Sequence, residues 1–368
     1  MKFRCQKDLI VEEISNASDF TAQRNTLTMM SCVYMSLSGN TLTIKTTDQK
    51  MGYVSEITVE GIEDGTTSVV CDKFLDIVKN LPAGSVLFED IEEKIFIKSE
   101  QNSIEFRLRT NDPSGFPDIT IPEEESFFSI PQKDLTDMIN QVSFAVSDDE
   151  SKFAMNGALL EKDGSSGLIM VGTDGRRLSF IDRQIEGEVK DFEKITIPSK
   201  FLAIIRKHSS NEGVFRLSIT SQSIYVRTSS CIIFSSLIKN EFPAYRRVIP
   251  ANQEKFCVVN ISALEAALKR AALLVENKYK KVIIDFEFNK MIISTEETDL
   301  GAGKEEIECS YEGEPLKCAM NYTYILNPLK VMDGTQAKIA FTESGRPFTL
   351  TCEPERDYKH IIMPMNLG

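Results

Sequence analysis

The 368-residue sequence repeats one pattern three times. Each third opens with an apolar strand that runs into an amphipathic helix, and Leu9, Leu135 and Leu264, on the three helices, lie 126 and 129 residues apart. Midway through each third a strand ends in a hydroxyl and an acid, Thr47-Asp48, Thr173-Asp174 and Thr295-Glu296, at steps of 126 and 122. A second strand and helix follow (VVCDKFLDIV, ITIPSKFLAII, CAMNYTYIL), with Phe74, Phe201 and Tyr324 at steps of 127 and 123. Three independent landmarks agree. Solenoid repeats run about 20–50 residues, so each copy here is the size of a whole domain. An α+β chain of three tandem copies is predicted, with boundaries at residues 1–122, 123–250 and 251–368.

Between the helices the segments are short and β-rich, such as NTLTIKTTD, GLIMVGTD and KKVIIDFEF, with the alternation and branched residues of strands. Two proline-bracketed runs, Phe116 to Ser126 and Phe242 to Lys255, read as exposed connectors, because proline imposes an extended backbone before it and cannot continue a helix. The eight cysteines include no CxxC pair, which argues against a zinc site or a disulfide framework. The opening MKFRCQKDLIVEEI lacks an apolar signal core, and no run reaches the roughly 20 apolar residues of a membrane span. A cytoplasmic protein is expected.

The net charge is −13. Residues 1–122 carry 12 Lys+Arg against 19 Asp+Glu, the middle copy 16 against 18, and the last 14 against 18. Such a surface cannot hold nucleic acid over its whole extent, since that requires neutralising many phosphates. Contact with a polyanion is confined to local basic stripes, such as Lys200 and Lys207 after Pro198, or Lys269 and Arg270 with Lys278, Lys280 and Lys281.

No GxSxG, HExxH, Walker A or GxGxxG pattern occurs, and neither His208 nor His360 has metal-ligand company nearby in sequence. No catalytic residue, metal or cofactor is expected. The run GTDGRRLS, Gly172 to Ser179, lacks a following helix and reads as a hairpin turn rather than a phosphate loop. The less favoured alternative is a phosphate-ester enzyme using Asp174 and Arg177. On a helix predicted from Ser262 to Glu276, Leu264, Leu268, Ala271 and Val275 form the core stripe, while Leu273 points the opposite way among charges. In SIEFRLRT, Ile104, Phe106 and Leu108 alternate with Glu105, Arg107 and Arg109. At a sheet edge that strand could pair with another subunit. The segment Ile361 to Leu367 is almost wholly apolar, either docking on its own domain or lining a groove in which methionine adapts to varied partners.

Together the threefold repeat, GTDGRRL, FPAYRRVIP and IIMPMNL resemble the bacterial DNA polymerase III β subunit, the replicative sliding clamp, over essentially the whole chain. The resemblance implies clamp domains of two helices backed by antiparallel sheets, joined in a head-to-tail homodimeric ring that encircles duplex DNA without reading its sequence. It implies a processivity factor, with the polymerase III catalytic subunit, the clamp loader, bypass polymerases and mismatch-repair proteins as partners. A partner-peptide pocket would comprise Met155, Thr173, Gly175, Arg177, Leu178, Pro243, Arg247, Val248, Asn321, Tyr324, Ile361, Met363, Pro364, Met365 and Leu367. Arg176 stands at its rim. Arg24, Lys152, Lys200 and Lys207 would face DNA, with Asp148, Asp149 and Glu150 repelling it, and Phe106 and Leu108 would meet Leu273 and Leu274 of another copy. A monomeric docking module without DNA encirclement is the competing reading.

Overall fold

A computed structural model describes residues 1–22, 29–100, 102–276, 278–299 and 301–367. Each copy contributes two α-helices among these residues: α1 (Lys7–Ser18) and α2 (Cys71–Lys79), α3 (Gln132–Val142) and α4 (Ser199–Lys207), α5 (Ile261–Ala271) and α6 (Tyr322–Leu329). Helical spacing of apolar residues puts them on one face, so that α1 buries Ile10, Ile14 and Ala17, α3 buries Leu135, Met138, Ile139 and Val142, and α5 buries Leu264, Ala267 and Leu268. Caps differ between the copies. In the third, Asn260 accepts from the Ala263 N–H and Asn321 from the Thr323 N–H, each cap contributing about 1 kcal/mol.

Two expectations need correction. The α5 helix stops at Ala271, and Ala272–Leu274 tightens into a 3-10 turn before Val275 turns extended. That turn leaves Leu273 78% exposed and Leu274 half-buried. The second proline-bracketed connector is not simply exposed: Phe242 and Tyr245 are buried against Leu159, Ile169, Val171, Leu178 and Ile361.

The chain forms two compact units, Met1–Ile130 with Ala203–Leu237, and Pro131–Leu202 with Ile238–Gly368. The first contains a thirteen-stranded sheet, from Phe128–Pro131 at one end to Glu60–Glu63 at the other. The second contains a twelve-stranded sheet, from Ile195–Pro198 to Leu316–Asn321. Both are continuous because strands of the middle copy pair with strands of its neighbours. In the first unit Cys231–Ser236 runs antiparallel to Met51–Thr58, with Cys231 opposite Ser55. In the second Arg177–Gln184 runs antiparallel to Tyr358–Ile362, with Arg177 opposite Ile362.

Aromatic rings fill both cores. Phe3 stacks on Phe88 at 4.9 Å between centroids in the first unit, and Phe286 packs on Phe341 at 4.7 Å in the second. The first core also buries a carboxylate, Glu13, which accepts hydrogen bonds from Tyr53 Oη at 2.6 Å and Ser55 Oγ at 2.8 Å. Those two donors satisfy an oxygen that would be costly to bury bare.

The recurrent hydroxyl-acid pair is a device for closing a turn. Thr47 Oγ1 donates to the Met51 carbonyl at 2.7 Å, and Asp48 Oδ1 accepts from the N–H groups of Lys50 and Met51. The same bonds recur one copy later: Thr173 Oγ1 donates to the Arg177 carbonyl at 2.7 Å, and Asp174 Oδ1 accepts from Arg176 and Arg177. Side-chain oxygens here take over backbone donors that the turn leaves unpaired. The third copy departs from this, with Thr295 Oγ1 accepting from the distant Gly303 N–H and Glu296 pairing with Lys281.

Candidate functional site

In the second unit three stretches converge on one cavity. The hairpin turn after Gly167–Thr173 supplies Thr173, Gly175 and Arg177, and Gly175 adopts a φ of +88° that glycine accommodates without strain. The neighbouring strand Tyr358–Ile362 supplies Ile361, and the chain continues along the hairpin as the Met363 N–H donates to the Arg176 carbonyl at 2.9 Å. The connector supplies the third side. Phe242 and Tyr245 anchor it to the sheet, and the 3-10 turn Tyr245–Val248 lifts Val248 over the opening.

The cavity has a volume of about 450 Å³ and is lined by Met155, Thr173, Gly175, Arg176, Arg177, Leu178, Pro243, Ala244, Tyr245, Val248, Ile361 and Met363. Most of these groups are apolar. Val248 and Met363, 51% and 41% exposed, stand at its mouth. Arg177 is the polar wall. Its Nε donates to Asp174 Oδ2 at 3.0 Å, a second nitrogen donates to the Phe144 carbonyl, and the guanidinium lies over the Tyr324 ring at 4.7 Å. Held by a carboxylate, a carbonyl and a ring face, it presents a fixed surface. Tyr245 is fixed too, its hydroxyl donating to Glu161 Oε2 at 3.2 Å, and burial, followed by the charge of Glu161, pushes its phenol pKa up. Asp174 accepts from the turn's N–H groups through Oδ1 and from Arg177 through Oδ2, so it serves both the turn and the arginine.

Nine of the fifteen predicted pocket residues line this cavity: Met155, Thr173, Gly175, Arg177, Leu178, Pro243, Val248, Ile361 and Met363. Six do not. Arg247 lines an adjacent cavity instead. Tyr324 lies beneath the Arg177 guanidinium, and Asn321 serves as the cap of α6. Pro364, Met365 and Leu367 lie beyond the cavity because the segment turns onto a neighbouring strand: the Met365 N–H donates to the Ala319 carbonyl at 2.8 Å and the Leu367 carbonyl accepts from Lys281. The segment thus both docks on its own unit and, through Ile361 and Met363, lines the cavity. Ala244 and Tyr245 were missed, although the aromatic pair in FPAY, three residues apart, is a readable sign of an anchored rather than a free connector.

The predicted DNA-facing residues are Arg24, Lys152, Lys200 and Lys207. Arg24 lies outside the described residues. Lys152 donates to the Asp174 carbonyl at 2.9 Å, Lys207 pairs with Asp19 at 2.6 Å, and Lys200 is exposed on α4. The basic group around α5 is largely neutralised, with Lys269 paired to Glu265, Arg270 to Glu305 and Lys281 to Glu296. In the acidic run after Ser147, Asp149 closes a turn by accepting from the Ser151 hydroxyl and N–H, and those two bonds hold its carboxyl below the usual range. Phe106 is 44% exposed, and its strand, Glu105–Asn111, pairs along Glu105–Arg109 with Lys94–Lys98 and, among the described residues, on that side only.

Among the described residues no helix is long and apolar enough to cross a membrane. Comparison with known proteins covers the chain almost from end to end. The family description DNA polymerase III beta subunit matches as its N-terminal domain over residues 1–120, its central domain over 129–244 and its C-terminal domain over 246–366. A beta sliding clamp of Treponema pallidum is 36% identical, covering 99% of both chains. Among solved structures, the Bacillus subtilis DNA polymerase sliding clamp superposes with a TM-score of 0.94 at 25% identity, covering 100% of each chain. A Pseudomonas aeruginosa clamp bound to griselimycin gives 0.93 at 25% identity with the same coverage.

Proposed function

The chain belongs to the DNA polymerase III beta subunit family, and on that premise we propose that the cavity framed by Arg177, Val248 and Met363 is where it holds its partners. The protein is a DNA sliding clamp, a non-catalytic processivity factor with three tandem clamp domains. The family encircles DNA, dimerises and binds polymerase. Domain limits of 1–122, 123–250 and 251–368 follow the sequence repeat, and a cytoplasmic location suits a replication factor.

The observation that carries the docking reading is an apolar cavity of about 450 Å³ beside an immobilised arginine. It suits a short peptide with a Leu-Phe pair, such as the polymerase III catalytic subunit, the clamp loader, bypass polymerases and mismatch-repair proteins would present. Burying one such side chain contributes roughly 1.5–3 kcal/mol, enough for partners that exchange. Asn321, Tyr324, Pro364, Met365 and Leu367 form the shoulder along which the rest of such a peptide lies.

Two exposed strands support head-to-tail pairing of copies. Among the described residues Glu105–Arg109 leaves one side open, as does Lys304–Glu308, which pairs there with Lys290–Ser294 alone. The first carries Glu105, Arg107 and Arg109 at alternate positions, the second Lys304, Glu306 and Glu308, so one edge has a net positive and the other a net negative charge. Phe106 and Leu108 beside one, and Leu273 and Leu274 near the other, supply the apolar centre. For DNA, Lys152, Lys200 and Lys207 offer a few weak phosphate contacts, which hold the duplex without braking movement along it.

The test of the docking site is the double substitution Met363→Ala and Met365→Ala. Polymerase stimulation is expected to vanish while the sedimentation coefficient stays that of the unsubstituted protein; normal stimulation would place the site elsewhere.

A further inference from the structure

Val248 and Met363 belong to two cavities at once. On their far side lies a second one of about 550 Å³, whose walls include Arg247, Arg346, Gln253 and Glu343. Arginines in this acidic chain are mostly spoken for: Arg177, Arg183, Arg246, Arg270 and Arg356 all have acidic partners. Among the described residues Arg247 and Arg346 have none, and both line one basin whose walls contain a single acid, Glu343. The wall is fixed in place, as Gln253 Nε2 donates to the Pro347 carbonyl at 2.8 Å and the Arg346 N–H to the Glu343 carbonyl at 3.2 Å.

We propose that this basin receives acidic residues flanking the apolar anchor of a partner peptide, Arg247 and Arg346 meeting their carboxylates. The inference rests on the docking reading above. A chain of net charge −13 repels an acidic peptide at long range, so such a flank is tolerated only where local cations outweigh it. The basin next to the apolar cavity is such a place. Guanidinium forks match carboxylate geometry, and the Val248–Met363 ridge is the short path from one cavity to the other.

The experiment measures fluorescence anisotropy of labelled peptides on the full-length protein. Three peptides share one Leu-Phe anchor and carry neutral flanks, an Asp pair before it, or an Asp pair after it. One acidic peptide is expected to bind about threefold tighter than the neutral one at low salt, as an exposed ion pair allows. That gain should fade near ~1 M salt, where the Debye length is about 3 Å. Arg346→Gln should shrink it and Arg346→Glu reverse it, both leaving the neutral peptide's affinity unchanged. Equal binding of acidic and neutral peptides, or a gain that survives Arg346→Glu, overturns the inference and leaves the docking reading standing. Failure of every peptide to bind overturns both. Displacement of the acidic peptide by a duplex oligonucleotide from the unsubstituted protein but not from Arg346→Glu would reassign the arginines to phosphate, and likewise overturn it.

Discussion

At the scale of single residues, the buried histidine of the second unit ties stability to pH. His360 is almost fully enclosed, with Nδ1 3.0 Å from Ser179 Oγ, and burial lowers its pKa to about 3. Its folded pKa lies below the unfolded value of about 6.5, so its contribution is complete above that value and is lost as pH falls toward the folded one. Between those limits the slope is about 1.4 kcal/mol per pH unit. Urea titrations from pH 7 to 4 should show that loss, flattened in His360→Gln; an unchanged slope in the variant would contradict it. Cysteine reactivity is a second readout. Burial pushes Cys5, Cys71 and Cys318 up to about 12, whereas Cys309 alone among the described cysteines is not buried. Native-state alkylation mapped by mass spectrometry should therefore label Cys309 first. The Thr-Asp pairs were visible in the sequence as landmarks and the turn at Thr173-Asp174 was legible from its Asp-Gly step, yet the bonds by which the hydroxyl and carboxylate close it were not, because they depend on which backbone groups the fold brings within reach.

At the scale of elements, close approach decides what can be changed. A Cβ on Gly172 would sit 2.5 Å from the Val142 carbonyl oxygen at the end of α3, so the strand that leads into the cavity's hairpin would have to move. Gly172→Ala is expected to cost roughly 1–3 kcal/mol, seen as a lower urea midpoint at unchanged slope. The helices themselves were legible, since their 3.6-residue periodicity is local. The end of α5 was not: its apolar stripe runs on to Val275, but the chain tightens at Ala272. That turn exposes Leu273, and Leu273→Asp should convert the dimer to monomers in sedimentation at micromolar concentration, with the circular dichroism spectrum unchanged. A dimer that survives would move the interface elsewhere. Tyr324 shows the reverse case: Phe74 and Phe201 at the matching positions are core residues, while Tyr324 is half-buried beneath Arg177. Repeated sequence does not guarantee repeated surroundings.

At the scale of the whole molecule, a protein of net charge −13 that holds DNA must do so mainly by enclosure, because few phosphates can be neutralised. Loaded onto circular DNA by a clamp loader, as the proposed function requires, it should stay through a salt wash and leave once the circle is linearised, as gel filtration of labelled protein can show; retention on linear DNA would contradict topological binding. The number of copies, their helices and the apolar run at Ile361 to Met365 were all determined by the sequence alone, because periodicity and hydrophobic pattern are local and survive in each copy. Tertiary structure alone decided which strands meet, Cys231 with Ser55 and Arg177 with Ile362. Backbone hydrogen bonds join strands without regard to side-chain identity, so no residue type announces its partner strand. The cavity inherits that dependence. Its turn, its connector and its last strand become one site only when the sheet of one copy is continued by the next.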